Sequence, residues 1–197
     1  VDLARVEPEK LRQMQDLFWE EAARHNALPL DNSRVTRLNV GIRPSLTGGR
    51  SSFTYYPGMV RIPEGAAPDF KNRSFRITAY VNIPVAGAEG VLLTQGGQFG
   101  GFGLYLHNNR PVFHYNYLGL DEYRIAAKEA LKPGRHEVVF AFTYDGGGFG
   151  KAGSGVIWVD GKKVGQGRIR RTIPLRISLD ECFDIGEDTG TPVSLDY

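Results

Sequence analysis

The sequence has little cysteine, little net charge and no long apolar run. The one cysteine, Cys182, excludes an internal disulfide and a cysteine-cluster metal site. No apolar stretch approaches the roughly 20 residues that a membrane-spanning helix needs, and no signal-peptide pattern is visible. The net charge of +2, from 24 basic and 22 acidic residues, is too small for a dedicated binder of nucleic-acid phosphates. We therefore expect neither a nucleic-acid nor a membrane partner.

Glycine and aromatic residues, by contrast, are plentiful. The chain of 197 residues has 25 glycines, 11 prolines, 11 phenylalanines and 9 tyrosines, and 41% of its residues are hydrophobic. This composition indicates a folded domain of short strands joined by tight turns. Helical patterns do not alternate with the strand patterns, which argues against the parallel α/β classes.

The chain divides into three parts by its hydrophobic periodicity. Residues 7–25 predict a helix, because Pro8 suits a first helical turn and apolar residues follow at three- and four-residue steps. The apolar stripe consists of Leu11, Met14, Leu17, Phe18 and Ala22. Residues 28–71 lack periodicity and predict an extended connector with one or two short strands. The predicted boundaries are therefore 1–27, 28–71 and 72–197, the last part being the β domain.

The third part has a two-residue period that is typical of half-buried strands. Apolar and polar residues alternate over Phe75–Ile83 and His136–Tyr144, and the pairs Asn108-Asn109 and Asp160-Gly161 predict tight hairpin turns. Further strands are expected at 91–95, 123–127, 167–173 and 183–186. The prediction is a mainly β fold, an antiparallel two-sheet sandwich of jelly-roll type with one N-terminal amphipathic helix.

The first hairpin carries a candidate ligand-binding face. A two-residue turn at Asn108-Asn109 would place an aromatic ring beside polar side chains on an open sheet, which is typical of sugar recognition. The candidate glycan-binding residues are Tyr105, His107, Arg110, His114 and Asn116. A merely solvated or covered strand face is the alternative.

Two charged clusters are weaker candidates. Asp184, Glu187 and Asp188 could bind calcium through carboxylate oxygens, or form an ordinary polar loop. The basic residues after 167 form either a solvated strand face or a site for an anionic ligand. They are Arg168, Arg170, Arg171 and Arg176.

No catalytic residue is predicted. The spacing of Glu181 and Asp184 places them on opposite faces of a strand unless a bulge intervenes, which disfavours a sandwich glycosidase. The Gly148–Gly153 segment matches a dinucleotide-binding pattern but lacks the following helix. Thr172–Arg176 matches the sulfatase motif Cys/Ser-x-Pro-x-Arg only with threonine at the nucleophile position, and threonine cannot become formylglycine.

Several segments, taken together and in this order, are similar to a known family. They are residues 2–22, Asn26–Asp31, Tyr56–Gly58, Asn72–Phe75, Glu89–Val91, 96–101, Gly150-Lys151, Asp184–Gly186 and Thr191–Val193. Through them the chain resembles the C-terminal region of bacterial arylsulfatase-type sulfatases. Residues 2–22 resemble the last helix of their catalytic region, and the rest is similar to the region after that helix in the longer members. The resemblance implies a concanavalin A/laminin-G-like sandwich. It also implies a bacterial source and leaves the compartment, cytoplasmic or periplasmic, open.

The resemblance separates the parent enzyme from this chain. A parent sulfatase would carry formylglycine and a divalent metal in an α/β portion that this chain lacks, so no cofactor other than calcium is expected here. The leading hypothesis is a non-catalytic sandwich that docks on or shapes the catalytic domain of the same polypeptide, with a sulfated or plain glycan as a further expected partner. The alternatives are an independent lectin-like module and, third, a sandwich glycosidase or lyase.

Overall fold

The computed structural model describes residues 2–32 and 46–197, which fall into two compact units, Val1–Arg34 and Val35–Tyr197. The first unit contains helix α1, Pro8–Arg24. Pro8 at its start lacks only an N–H that would have no helical partner, and Asn26 just beyond its end has a positive φ of 54°. The helix predicted over 7–25 is confirmed.

The described part of the second unit contains two antiparallel sheets. Its strands are β1 Phe75–Ile83, β2 Gly90–Gly97, β3 Gly100–His107, β4 Arg110–Tyr117, β5 Asp121–Ala126, β6 Gly134–Tyr144, β7 Gly153–Val159, β8 Lys162–Ile169 and β9 Phe183–Ile185. The four-stranded sheet has the order β1-β6-β7-β8, and the five-stranded sheet has the order β5-β4-β3-β2-β9. The mainly β, antiparallel two-sheet sandwich with a helix is confirmed, and its jelly-roll and concanavalin A/laminin-G-like identity stays a prediction.

Aromatic side chains from both sheets form the core, which we call the aromatic core. Phe102 and Phe113 of the five-stranded sheet and Phe140 and Phe142 of the four-stranded sheet are buried in one cluster. The rings of Phe113 and Phe140 are stacked, with centroids 3.6 Å apart and planes 7° from parallel. Contacts of this kind, together with the buried area, hold one sheet to the other.

The turns and strand ends follow local chemistry. Asn108 and Asn109 have φ values of 52° and 59°, and Asp160 and Gly161 have 49° and 76°, as a type I′ hairpin requires. The separate strand predicted over 167–173 is wrong, because 167–169 continue β8 and the chain then leaves the sheet. The N–H of Ile173 donates to the side-chain hydroxyl of Tyr115 instead of to the backbone of a neighbouring strand.

Residues 46–71, predicted as part of the connector, are part of the second unit. Ala67 is buried in the aromatic core, and the Phe70 ring packs edge-on against Phe75 and Phe102 at 5.0 Å. Ile62 forms a β-bridge with Phe183 of β9. Residues 33–45 of the predicted connector lie outside the described residues.

Gln95 of β2 is a buried polar side chain in a core that is otherwise mainly apolar. It lies opposite Phe102, so its side chain points into the sandwich, where neither amide atom has a hydrogen-bond partner among residues 2–32 and 46–197. Because a buried amide without partners loses its hydration, Gln95→Met is expected to raise the free energy of unfolding by about 1–2 kcal/mol. Urea unfolding measures the change, with the exposed Gln98→Met as the control; a loss of stability would contradict the expectation.

Candidate functional site

The candidate glycan face lies on the side of the five-stranded sheet that is directed away from the aromatic core, here called the outer face. The predicted register is confirmed, because His107 pairs with Arg110, Tyr105 with Val112 and Gly103 with His114. The next strand, β5, places Arg124 beside His114. The structure therefore brings most of the predicted residues together on one face.

This outer face is covered, which is the alternative to an open sugar-binding face. Tyr105, His114 and Asn116 are buried, while Arg110 is exposed and His107 is half-buried. The cover is the C-terminal segment, residues 191–197, which contacts Gln98, Tyr105 and Arg124. A sugar can stack on Tyr105 only after this segment moves, and the glycan-binding role of these residues stays a prediction.

The carboxylate of Asp196 is the main anchor of the C-terminal segment. Its Oδ2 accepts hydrogen bonds from the Tyr105 hydroxyl at 2.6 Å and from Arg124 Nε at 2.9 Å. His107 Nδ1 lies 2.9 Å from the backbone oxygen of Asp196. Burial alone would raise the pKa of Asp196, but the hydrogen bonds from Tyr105 and Arg124 hold it below its usual range.

The same anchor changes the titration of Tyr105. Burial, followed by the hydrogen bond to Asp196, raises the pKa of Tyr105 to about 12. The hydroxyl is therefore protonated at neutral pH and serves as a hydrogen-bond donor to an anion.

Two polar side chains beside this anchor have no hydrogen-bond partner among the residues that the structure describes. They are Thr94, through Oγ1, and His114, through both ring nitrogens. His114 Nε2 is 3.6 Å from Glu122 Oε2, which is beyond hydrogen-bond distance. Burial lowers the pKa of His114, so the ring is neutral at pH 7 and offers one donor and one acceptor.

Asn116 has a structural role in the described chain. Its Nδ2 donates to the Gln98 backbone oxygen at 2.9 Å, and its Oδ1 accepts from the Gly119 N–H at 2.8 Å. The side-chain amide therefore fixes the turn after β4, and its oxygen and nitrogen each already have a protein partner.

The three acids predicted to bind calcium are not brought together as a ligand set. Asp184 is buried, and its carboxylate accepts from the N–H of Arg61 and from the N–H and hydroxyl of Thr189. Asp188 accepts from the Tyr197 hydroxyl at 2.8 Å, and burial raises its pKa. Glu187 is exposed. Over residues 2–32 and 46–197, no three acids, histidines or cysteines converge as metal ligands.

Most of the other candidate charges also have partners within the protein. Glu181 accepts from the N–H and hydroxyl of Thr191, which closes the loop after β9. Arg168 pairs with Asp145, and Arg171 pairs with Asp121 and lies over the Tyr117 ring. Arg176 donates to the backbone oxygens of Ser178 and Leu179, and Arg170 is exposed.

Sequence reasoning missed Thr94, Arg124 and Asp196. Thr94 and Arg124 belong to strands that were predicted without their neighbours, and Asp196 belongs to a segment with no strand pattern. The one available signal concerned Arg124, which lies beside His114 on the neighbouring strand. To use that signal, one must know the order of the strands in the sheet.

The chain is thus an antiparallel β-sandwich with a separate helical unit and a covered polar face. No known family model matches it, and no curated protein is significantly similar to it in sequence. In the part of the chain that the structure describes, no helix is both long enough and apolar enough to cross a membrane.

Proposed function

We propose that the chain is a non-catalytic β-sandwich module of an arylsulfatase-like sulfuric ester hydrolase, with α1 docked on the catalytic domain of the same polypeptide. The observation that carries this proposal is the exposed apolar stripe of α1. Its four large apolar side chains and the neighbouring Trp19 are each between 38% and 60% exposed: Leu11, Met14, Leu17, Phe18 and Trp19. The resemblance of this helix to the last helix of a sulfatase catalytic region supplies the identity of the partner.

The chemistry of the stripe favours a protein partner. Full burial of one such side chain contributes about 1.5–3 kcal/mol, and aromatic residues are the usual anchors at the centre of an interface. Phe18 and Trp19 meet edge to face with centroids 5.3 Å apart, which forms a continuous aromatic surface. Both rings are about half exposed, so a docking partner has apolar area to cover.

The sandwich supports the non-catalytic part of the proposal. In the segment that matches the sulfatase motif with threonine, the Thr172 hydroxyl donates to the Lys151 backbone oxygen at 2.8 Å. Glu181 and Asp184, the acids considered for glycosidase chemistry, accept hydrogen bonds from Thr191 and Thr189. The hydroxyl and the two carboxylates therefore stabilise the loops around them.

The test compares this chain with the polypeptide that its complete gene encodes. We expect the complete polypeptide to contain a Cys/Ser-x-Pro-x-Arg motif and to hydrolyse 4-nitrophenyl sulfate, and we expect the present chain to show no hydrolysis. A complete polypeptide without that motif, or without sulfate-ester hydrolysis, would contradict the proposal.

A pair of variants of the complete polypeptide tests the docking of α1. The double variant Leu17→Gln/Phe18→Gln is expected to lower the thermal midpoint of the sulfatase activity, because two buried apolar side chains are lost from the interface. The double variant Gln13→Ala/Glu20→Ala is the matched control on the same helix and is expected to leave the midpoint unchanged. Equal midpoints for all forms would show that the stripe is not an interface.

A further inference from the structure

We propose that the outer face of the five-stranded sheet holds a binding site for an anionic saccharide, and that the C-terminal segment occupies this site as an internal stand-in for the ligand. The site consists of Tyr105 and Arg124, which hold the anion, and of Thr94 and His114, which meet ring hydroxyls. This inference goes beyond the proposed function, since it gives the sandwich a ligand of its own.

The anion-binding part of the site is defined by its present occupant. The Tyr105 hydroxyl and Arg124 Nε donate to one and the same oxygen, Oδ2 of Asp196, at 2.6 and 2.9 Å. Hydrogen bonds to a charged oxygen are the strong ones, and two donors that converge on one oxygen suit a carboxylate or a sulfate group equally. The Arg124 side chain is 43% exposed, so its guanidinium is reachable from solvent.

An aromatic ring occupies the position next to the anion. The Tyr197 ring lies edge-on against the Tyr105 ring, with centroids 4.9 Å apart. The C–H-bearing face of a sugar ring makes the same kind of contact with an aromatic side chain. The C-terminal segment thus places a carboxylate beside an apolar ring. An acidic sugar has the same two features, an acid group and an apolar ring face.

The polar atoms without partners favour a saccharide over a peptide as the ligand of this site. Thr94, Gly103 and His114 are neighbours in the register of β2, β3 and β4. A Cβ added to Gly103 would lie 3.3 Å from Thr94 Cγ2 and 3.6 Å from Tyr105 Cδ1, so the side chains of Thr94 and Tyr105 both border the space above Gly103. With the peptide in place, Thr94 Oγ1 and both His114 nitrogens have no hydrogen-bond partner in the described part of the chain.

Buried polar atoms are almost always hydrogen-bonded in native proteins, and exceptions need an explanation. The explanation here is that the peptide matches the anion-binding part of the site but brings no hydroxyls to Thr94 and His114. A sugar ring carries several hydroxyl groups, each a donor and an acceptor, and would satisfy both side chains.

The C-terminal segment is attached in a way that allows exchange. No residue from 186 to 197 is in a strand, and the last residues are held on the outer face through Asp196 and a few further side-chain bonds. Leu195 is 93% exposed, whereas Val193 is only 2% exposed, so the exchange that we propose involves residues 194–197 and leaves Val193 buried. Since the segment competes with the ligand, weakening its anchor raises the fraction of chains that are competent to bind.

The test is calorimetric titration of the full chain at moderate salt with four probes. A galacturonic acid trisaccharide carries carboxylates, a monosulfated galactose trisaccharide carries sulfate, galactotriose is the neutral counterpart, and the peptide Ser-Leu-Asp-Tyr represents the segment itself. The protein forms are the natural chain, Asp196→Asn, and Asp196→Asn combined with Arg124→Gln. The matched controls are Asp145→Asn and Arg168→Gln, from an exposed ion pair that is unconnected with this site.

We expect Asp196→Asn to bind one of the two anionic saccharides about tenfold more tightly than the natural chain does, because the competing carboxylate is gone. Adding Arg124→Gln is expected to weaken that binding about tenfold or more, and the control variants are expected to match the natural chain. The carboxylate and sulfate probes decide which anion the site prefers. Circular dichroism of each variant checks that the fold is retained.

Three results would overturn the inference. The first is that neither anionic saccharide binds Asp196→Asn at millimolar concentration. The second is that the peptide binds Asp196→Asn while the saccharides do not, which would make the face a docking place for the chain's own segment only. The third is equal affinity for galactotriose and the anionic probes, since the anion would then have no part in recognition.

Discussion

Replacing Lys71 with methionine is expected to lower the free energy of unfolding by about 3–5 kcal/mol, because it leaves a buried carboxylate without its counter-charge. Lys71 Nζ lies 2.7 Å from Glu64 Oε1 and 2.7 Å from Asp69 Oδ1. The side chains of Lys71 and Glu64 are only 3% and 4% exposed, so water cannot take the place of the lost ammonium group.

The position of Glu64 explains why the effect should be global. Both oxygens of its carboxylate also accept from the N–H of Ile177, at 3.1 and 3.2 Å, and Arg176 Nε is 3.9 Å away. The carboxylate thereby joins the segment before β1 to the segment before β9. An unpaired charge at this point disturbs both segments at once.

Urea unfolding of the natural chain and the variants measures this effect. Arg73→Met is the matched control, since Arg73 pairs with the same Asp69 at 3.3 Å but is 58% exposed, and we expect a change below about 1 kcal/mol. Lys71→Met combined with Glu64→Gln should recover part of the loss, because the buried negative charge is removed as well. A loss below about 1 kcal/mol for Lys71→Met alone would contradict a buried, charged pair.

Replacing Phe140 with alanine is expected to have a comparable effect, a loss of about 3–5 kcal/mol in the free energy of unfolding. Phe140 is fully buried and is stacked on Phe113 with centroids 3.6 Å apart. The two residues come from different sheets, so the variant removes a contact that holds the sandwich together and leaves a cavity between the sheets.

The control for Phe140→Ala is Phe99→Ala, which removes the same atoms from a ring that is 79% exposed. A change within about 0.5 kcal/mol is expected there. Equal losses for the two variants would mean that the Phe140 ring is not packed as described. A lower denaturant midpoint with an unchanged slope would identify the effect as one on the stability of the folded state.

The parts of the fold that could be predicted are those that local chemistry determines. The alternation over Phe75–Ile83 gives β1 directly, and the pairs Asn108-Asn109 and Asp160-Gly161 give two hairpins, because few residues adopt the positive φ of a type I′ turn. The register at the first hairpin follows from the turn length alone. For the same reason the candidate face was assembled correctly from the sequence.

The parts that could not be predicted depend on contacts between distant residues. Tyr105 and Asp196 are 91 positions apart, and no pattern in the last residues indicates that they cover a sheet. Residues 46–71 lack periodicity because their side chains fill individual positions, as Phe70 and Lys71 do, and do not line one face of a strand. The acids of 184–188 are close in sequence, but Asp184 and Asp188 bond to different partners.

The bridge between Ile62 and Phe183 protects one edge of the five-stranded sheet. β9 is only three residues long and would otherwise present a free edge of the five-stranded sheet. Backbone hydrogen bonds from Gly58–Ile62 satisfy it on that side, with Ile62 and Phe183 exchanging both of theirs. Unpaired sheet edges recruit strands from other molecules. A fragment that begins at residue 72 would therefore lose the protection of this edge together with part of its core, and we expect it to aggregate.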